Sequence, residues 1–123
     1  MNIMKSKFLL SLMLFVAFYS CTVDRFVGSG ETISEIRNVD FFSEISSEGT
    51  FEVTITKGNE QSLEIIADDN IISRVKTDVV NGKLKLKLSE GSYRNVHLEA
   101  HITMLDLEKI HNSGTGNINV IGF

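Results

Sequence analysis

Apolar and polar residues alternate with period two over most of the chain after residue 50. In "FEVTIT", Phe51, Val53 and Ile55 fall on one face and Glu52, Thr54 and Thr56 on the other. Successive side chains of an extended strand point to opposite sides, so this pattern predicts a half-buried strand. "SLEIIA" repeats it with Leu63, Ile65 and Ala67, after a turn at Lys57-Gly58-Asn59. In "GKLKLKL", Leu84, Leu86 and Leu88 alternate with Lys83, Lys85 and Lys87. Asn81-Gly82, where both residues tolerate positive φ, predicts a hairpin joining that strand to residues 75–80, "VKTDVV".

"NVHLEAHITM" predicts a further strand with Val96, Leu98, Ala100 and Ile102 inward. Two more, in "LEKIHN" and "NINVI", flank Ser113-Gly114-Thr115-Gly116, with Ile118 and Val120 directed inward. Only "DDNIISRV" reads as helical, one turn with Asp68 or Asp69 as its N-cap. Strands recurring every 8 to 12 residues predict an all-β fold, a β-sandwich or right-handed β-solenoid-like domain, rather than a parallel α/β sheet.

The N-terminus follows another logic. Lys5 and Lys7 precede the apolar run "FLLSLMLFVAFY", residues 8–19. Twelve residues are too few to cross a bilayer core, which takes roughly 20 in a helix, but they suit the central part of a secretory signal. Cys21, the only cysteine, follows Ser20 directly, and "FYSC" resembles a bacterial lipobox, departing from the commoner pattern at Phe18. The resemblance implies a signal peptide over residues 1–20 and a lipid-modified Cys21 as the mature N-terminus. Residues 21–30, "CTVDRFVGSG", are expected to form a tether made flexible by Gly28-Ser29-Gly30, ahead of a β domain over residues 31–123.

Without residues 1–20 the chain has 10 basic and 16 acidic side chains, with no long block of one sign. That balance argues against nucleic acid, whose binders carry a concentrated basic footprint. A single cysteine excludes an internal disulfide framework.

Candidate chemistry is sparse. His97, Glu99 and His101 share one face of their strand and are the metal candidates, but they stand far apart along an extended chain and lack a fourth ligand, so a solvated face is expected. Asp68-Asp69-Asn70 lacks the alternating oxygens of a calcium loop and reads as a turn or cap. No nucleophile-elbow pattern occurs, no catalytic residue is assigned and no cofactor is expected. Lys83, Lys85 and Lys87 suit either a basic stripe or a defence of an exposed edge strand, the latter preferred. The glycine turn could cradle phosphate only if it opened a helix; the β-branched "NINVIGF" after it predicts a strand instead.

Taken in order, Gly28-Ser29-Gly30, Arg37, Val39, Phe42 and Ile45, "FEVTITKG", "ADDNII", "VKTDVVNGKLKLKL" and "SGTGNI" resemble the head GIN domain family over residues 28–123. The resemblance implies an all-β, solenoid-like fold with glycine-centred turns and a proposed role in adhesion, without a catalytic site. It also implies further coils after the first glycine turn, so the chain reads as C-terminally truncated, with an open edge available for self-association. The expected protein is therefore a lipid-anchored envelope component, at the outer membrane, that binds a glycan or an envelope protein. The alternatives are a polysaccharide-active enzyme, by analogy with pectate lyases, and a periplasmic accessory to a signalling system.

Overall fold

Asn81 and Gly82 adopt φ values of 52° and 75°, both left-handed, and close the expected two-residue hairpin between β6 (Val75–Val80) and β7 (Lys83–Leu88). The computed structural model describes residues 23–123; the expected signal segment and Cys21 lie outside the described residues. The other strands are β1 (Arg25–Val27), β2 (Thr32–Ile36), β3 (Glu44–Ser47), β4 (Glu52–Lys57), β5 (Ser62–Asp68), β8 (Ser92–Arg94), β9 (Leu98–Met104), β10 (Lys109–Asn112) and β11 (Ile118–Ile121). One 3-10 turn, Ile72–Arg74, precedes β6. The fold is all-β, as the alternation predicts.

Two sheets carry the core. One runs β10-β3-β7-β6, the other β11-β4-β9-β5-β2, and β1 pairs with β8 in a separate ribbon. β10, β3 and β7 are mutually parallel, and so are β11, β4 and β9. Each pair β7/β9, β3/β4 and β10/β11 thus forms a coil with one strand in each sheet, and the β3/β4 coil lies between the other two. The glycine turn is therefore not the first corner of a repeat. It belongs to the outermost coil, laid on a coil formed some 65 residues earlier.

Period-two alternation supplies the interior. Register aligns Ile118, Val53, Ala100 and Ile65 in one inward row, and Val120, Ile55, Ile102 and Leu63 in the next. The facing sheet contributes Ile45, Leu84 and Leu86, and all of these except Ile118 and Val120 are fully buried in one apolar cluster. Val120 departs from expectation: it occupies an inward position yet is 44% exposed, because among the described residues no strand pairs with the outer side of β11.

Three other expectations change. The described part of the tether is folded: β1 pairs in parallel with β8, and Phe26 stacks on Tyr93 with ring centroids 5.2 Å apart. Gly28-Ser29-Gly30 is held by the acidic turn rather than free, with Ser29 N–H donating to Asn70 Oδ1 (3.0 Å), Ser29 Oγ to Asp69 Oδ1 (2.6 Å) and Gly30 N–H to Asp68 Oδ2 (3.0 Å). For the same reason neither aspartate caps the 3-10 turn, whose N-cap residue Ile71 makes no side-chain capping bond. Finally, β9 begins at Leu98, so His97 precedes the strand and its backbone N–H donates to Asp68 Oδ1 at 2.6 Å.

Arg37 joins the sheets. From the end of β2 its guanidinium pairs with Glu35 and donates to the carbonyls of Ile72 (3.0 Å) and Val75 (2.9 Å) and to Thr77 Oγ1 (3.2 Å). Gln61 supports the following loop in the same manner: its side-chain oxygen accepts the Phe42 N–H, and its amide donates to the carbonyls of Val39 and Asp40. Among the described residues no buried side-chain nitrogen or oxygen lacks a partner.

Candidate functional site

The β10–β11 coil is held at its corner by backbone contacts that only glycine allows. A β-carbon at Gly114 would stand 1.8 Å from the Gly49 carbonyl oxygen, and one at Gly116 would stand 1.9 Å from that of Phe51. This approach lets the corner bond directly to the coil beneath. Ser113 N–H donates to Ser47 O (3.0 Å), Thr115 N–H to Gly49 O (2.9 Å), and Val53 N–H to Asn117 O (2.9 Å). Asn112 clips the turn from within, its Oδ1 accepting Gly114 N–H and its Nδ2 donating to Gly116 O. The amides of Ser113, Gly114, Thr115 and Gly116 thus all donate within the protein. An anion would have to break these bonds to use them, which accounts structurally for the turn being a corner and not a phosphate cradle.

β10 and β11 each end their sheet, so one side of the molecule presents two adjacent strand edges. Ile110, Val120, Ile121 and Phe123 are exposed there, the last two by about half. An unpaired strand edge is a template for another strand. Among the described residues, both edges are bordered by exposed apolar side chains.

The metal candidates gather around one carboxylate. His97 Nε2 lies 2.8 Å from Glu99 Oε2, and His101 Nε2 lies 3.8 Å from Glu99 Oε1. The hydrogen bond from His97 holds the Glu99 carboxyl below its ordinary value of 4.5 against an opposing effect of partial burial, with the charges of both imidazoles adding to it. Among the described residues no group of three His, Cys, Asp or Glu side chains is placed to hold a metal ion. The cluster sits on the outer face of the five-stranded sheet, where His101 stands between Thr54 and Glu64.

Asp68 is the acidic residue with a structural task that sequence reading missed. It is 1% exposed. Burial opposes its ionisation, but the backbone N–H groups of His97, Gly30 and Asp68 itself, together with the His97 charge, outweigh that effect and hold its carboxyl below 3.8. Its partners are about 30 and 40 residues away, and no local signal marks them. Lys83, Lys85 and Lys87 lie on β7, which runs between β3 and β6 inside its sheet. The expected role in guarding an edge strand therefore does not apply to them.

A family model described as "Putative auto-transporter adhesin, head GIN domain" matches residues 41–122. Among solved structures, the chain is similar to an adhesin-labelled protein of Parabacteroides merdae, with a TM-score of 0.71 at 19% identity, covering 79% of this chain and 42% of that one. It is also similar to a protein of Parabacteroides distasonis described as lipid binding (TM-score 0.71, 17% identity, 79% and 44% covered). A third similar structure is an adhesin-labelled protein of Bacteroides fragilis (TM-score 0.68, 22% identity, 76% and 44% covered). The chain thus spans less than half the length of each. No match was found among curated proteins.

Proposed function

This chain belongs to the head GIN domain family, and from that premise we propose that it is a non-catalytic binding or scaffolding protein of the cell envelope, anchored through an acylated Cys21. The observation that carries the binding role is the double strand edge of β10 and β11, with Ile110, Val120, Ile121 and Phe123 exposed along it. A protein partner adding a strand there gains main-chain hydrogen bonds for affinity and apolar contacts for specificity, whereas a glycan would use the exposed apolar side chains alone. The partner is an envelope protein, a glycan or a second copy of the chain. The adhesin labels on the family and on two of the similar structures support this reading. The anchor is supported by the "FYSC" sequence, and the placement at the outer membrane rests on the same resemblance.

The test uses the chain from residue 21 onward carrying Cys21→Ser, beside a variant with Val120→Lys and Ile121→Lys. Among the described residues, all eleven strands and the buried core lie after residue 24, so this stretch carries all of them. The first chain is expected to retain envelope proteins or array glycans, or to self-associate with rising concentration, and the lysine variant to lose that property without a change in melting temperature. Equal behaviour of the two would remove the edge as the binding site. Release of unsaturated sugar products from polysaccharide would replace the binding reading with an enzymatic one.

A further inference from the structure

β7 is an interior strand, so its three lysines need another explanation than edge protection. Leu84 and Leu86 are buried and Leu88 is half-buried against the core, which sends Lys83, Lys85 and Lys87 to the outer face of the four-stranded sheet. Register places Lys109 on the same face in the row of Glu44 and Lys83, and Lys76 directly opposite Lys87. Five of the six lysines after residue 22 therefore share one sheet face.

The other titratable groups on that face are His111, Glu44 and Asp78, with Glu48 just beyond β3. Among the described residues, none of the five ammonium groups is ion-paired with any carboxylate. Lys76 and Lys87 form a like-charge pair across an antiparallel ladder, an arrangement that costs stability. Outside this face the chain after residue 22 has five basic and thirteen acidic side chains. The face is thus a locally positive plane on a negative domain, and its lysines remain free for an external partner.

We propose that this face lies against the anionic headgroups of a lipid bilayer. Three observations select a bilayer over a linear anionic polymer. The lysines are spread in two dimensions, about 6.6 Å apart along β7 and about 4.8 Å from strand to strand, rather than along a groove. The strands of this face carry no arginine there for bidentate contact with single anions and no Phe, Tyr or Trp ring for stacking on sugars. Its Lys76 end adjoins the N-terminal segment, since the Arg74 guanidinium lies 4.0 Å from the centre of the Phe26 ring in β1. Cys21 is four residues before Arg25, a reach of at most about 14 Å. In the location of the bilayer, and only there, the proposal rests on the anchor reading. The acyl chain supplies attachment, and the lysines set which side of the domain faces the lipid, leaving the β10–β11 edge to meet a partner.

The experiment is vesicle sedimentation with the chain from residue 21 onward carrying Cys21→Ser, so that no acyl chain contributes. Vesicles are phosphatidylcholine alone or an equal mixture of phosphatidylcholine and phosphatidylglycerol. Binding is expected on the mixed vesicles at low salt, to fall at least about tenfold at physiological salt, and to be absent on phosphatidylcholine alone. Lys83→Gln, Lys85→Gln and Lys87→Gln together are expected to lower it at least about tenfold without lowering the melting temperature, since the Lys76–Lys87 repulsion is relieved. Equal binding by parent and variant, or equal binding to both vesicle types, would overturn the proposal. So would displacement of the protein by soluble polygalacturonate at concentrations too low to act as bulk salt, which would assign the face to an acidic polysaccharide. Acyl labelling at Cys21 is scored separately, so failure of the anchor and failure of the lysine face are distinguishable.

Discussion

Gly114 lies so close to Gly49 that a β-carbon at position 114 would stand 1.8 Å from the Gly49 carbonyl oxygen. That approach holds the outermost coil, because Thr115 N–H and Ser113 N–H donate to the corner beneath it. Gly114→Ala must push the two corners apart and is expected to cost about 1–3 kcal/mol, read as a lower melting temperature and faster amide exchange across β10 and β11. Ser113→Ala removes only a long 3.4 Å hydroxyl contact and should stay within about 0.5 kcal/mol. Equal effects of the two substitutions would contradict the close-packed corner.

Asp68 ties the N-terminal segment to the body of the domain through Gly30 and to the start of β9 through His97. Asp68→Asn keeps the shape but turns a donor toward backbone N–H groups, at an expected cost of about 1.5–3 kcal/mol near neutral pH. The carboxyl titrates below its ordinary 3.8 in the folded protein. Its contribution is therefore complete above that value and fades as pH falls through the lower folded pKa, where folded and unfolded chains bind protons alike. Urea unfolding between pH 5 and 2.5 should show a shallower loss of stability in Asp68→Asn than in the parent. Some slope remains in the variant, because Glu99 is also held below its ordinary 4.5.

Arg37 satisfies two backbone carbonyls, Val75 of the facing sheet and Ile72 of the 3-10 turn before it, while its side chain is only 17% exposed. Arg37→Ala is expected to destabilise by about 2–4 kcal/mol, since it strands those two acceptors; Glu35, 47% exposed, is rehydrated and adds little. Lysine has one compact ammonium in place of the planar fork, so Arg37→Lys should recover less than half of the loss. Denaturant midpoints of the three proteins decide the matter, and full rescue by lysine would mean that charge alone is used.

These sites show what was legible in the chain and why. β6 and β7 could be read directly, because the signals for a hairpin are local: a two-residue left-handed turn flanked by alternation. Leu63, Ile65, Leu84 and Leu86 could be named as core on the same ground. The folded state of Gly28-Ser29-Gly30 could not, since it depends on Asp68, Asp69 and Asn70 about forty residues on, and glycine-serine composition by itself signals only flexibility. The order of the coils was equally hidden: nothing near Ser113 states that its partner is Ser47 rather than the adjacent β9. The lysine face suffered from the same gap. Alternation shows that Lys83, Lys85 and Lys87 share a side, but only the pairing of β7 with both β3 and β6 shows that the strand is not an edge.

Ile118 and Val120 offer the sharpest test of the open edge, because both occupy inward positions of β11, in register with the buried Val53 and Ile55. Ile118 is half-buried and packs against the core, whereas Val120 is 44% exposed. In dilute solution Ile118→Ala is expected to cost about 1–2 kcal/mol and Val120→Ala less than about 0.5 kcal/mol, in proportion to the apolar surface each removes from water. The relation changes once the edge is covered. A strand added beside β11 would bury the remaining Val120 surface, so the cost of Val120→Ala should rise toward that of Ile118→Ala as chain concentration or added partner increases. Thermal melts over a hundredfold concentration range provide the measurement. A Val120→Ala penalty that stays small at every concentration, together with a constant melting temperature of the parent, would show that a second copy does not cover this edge.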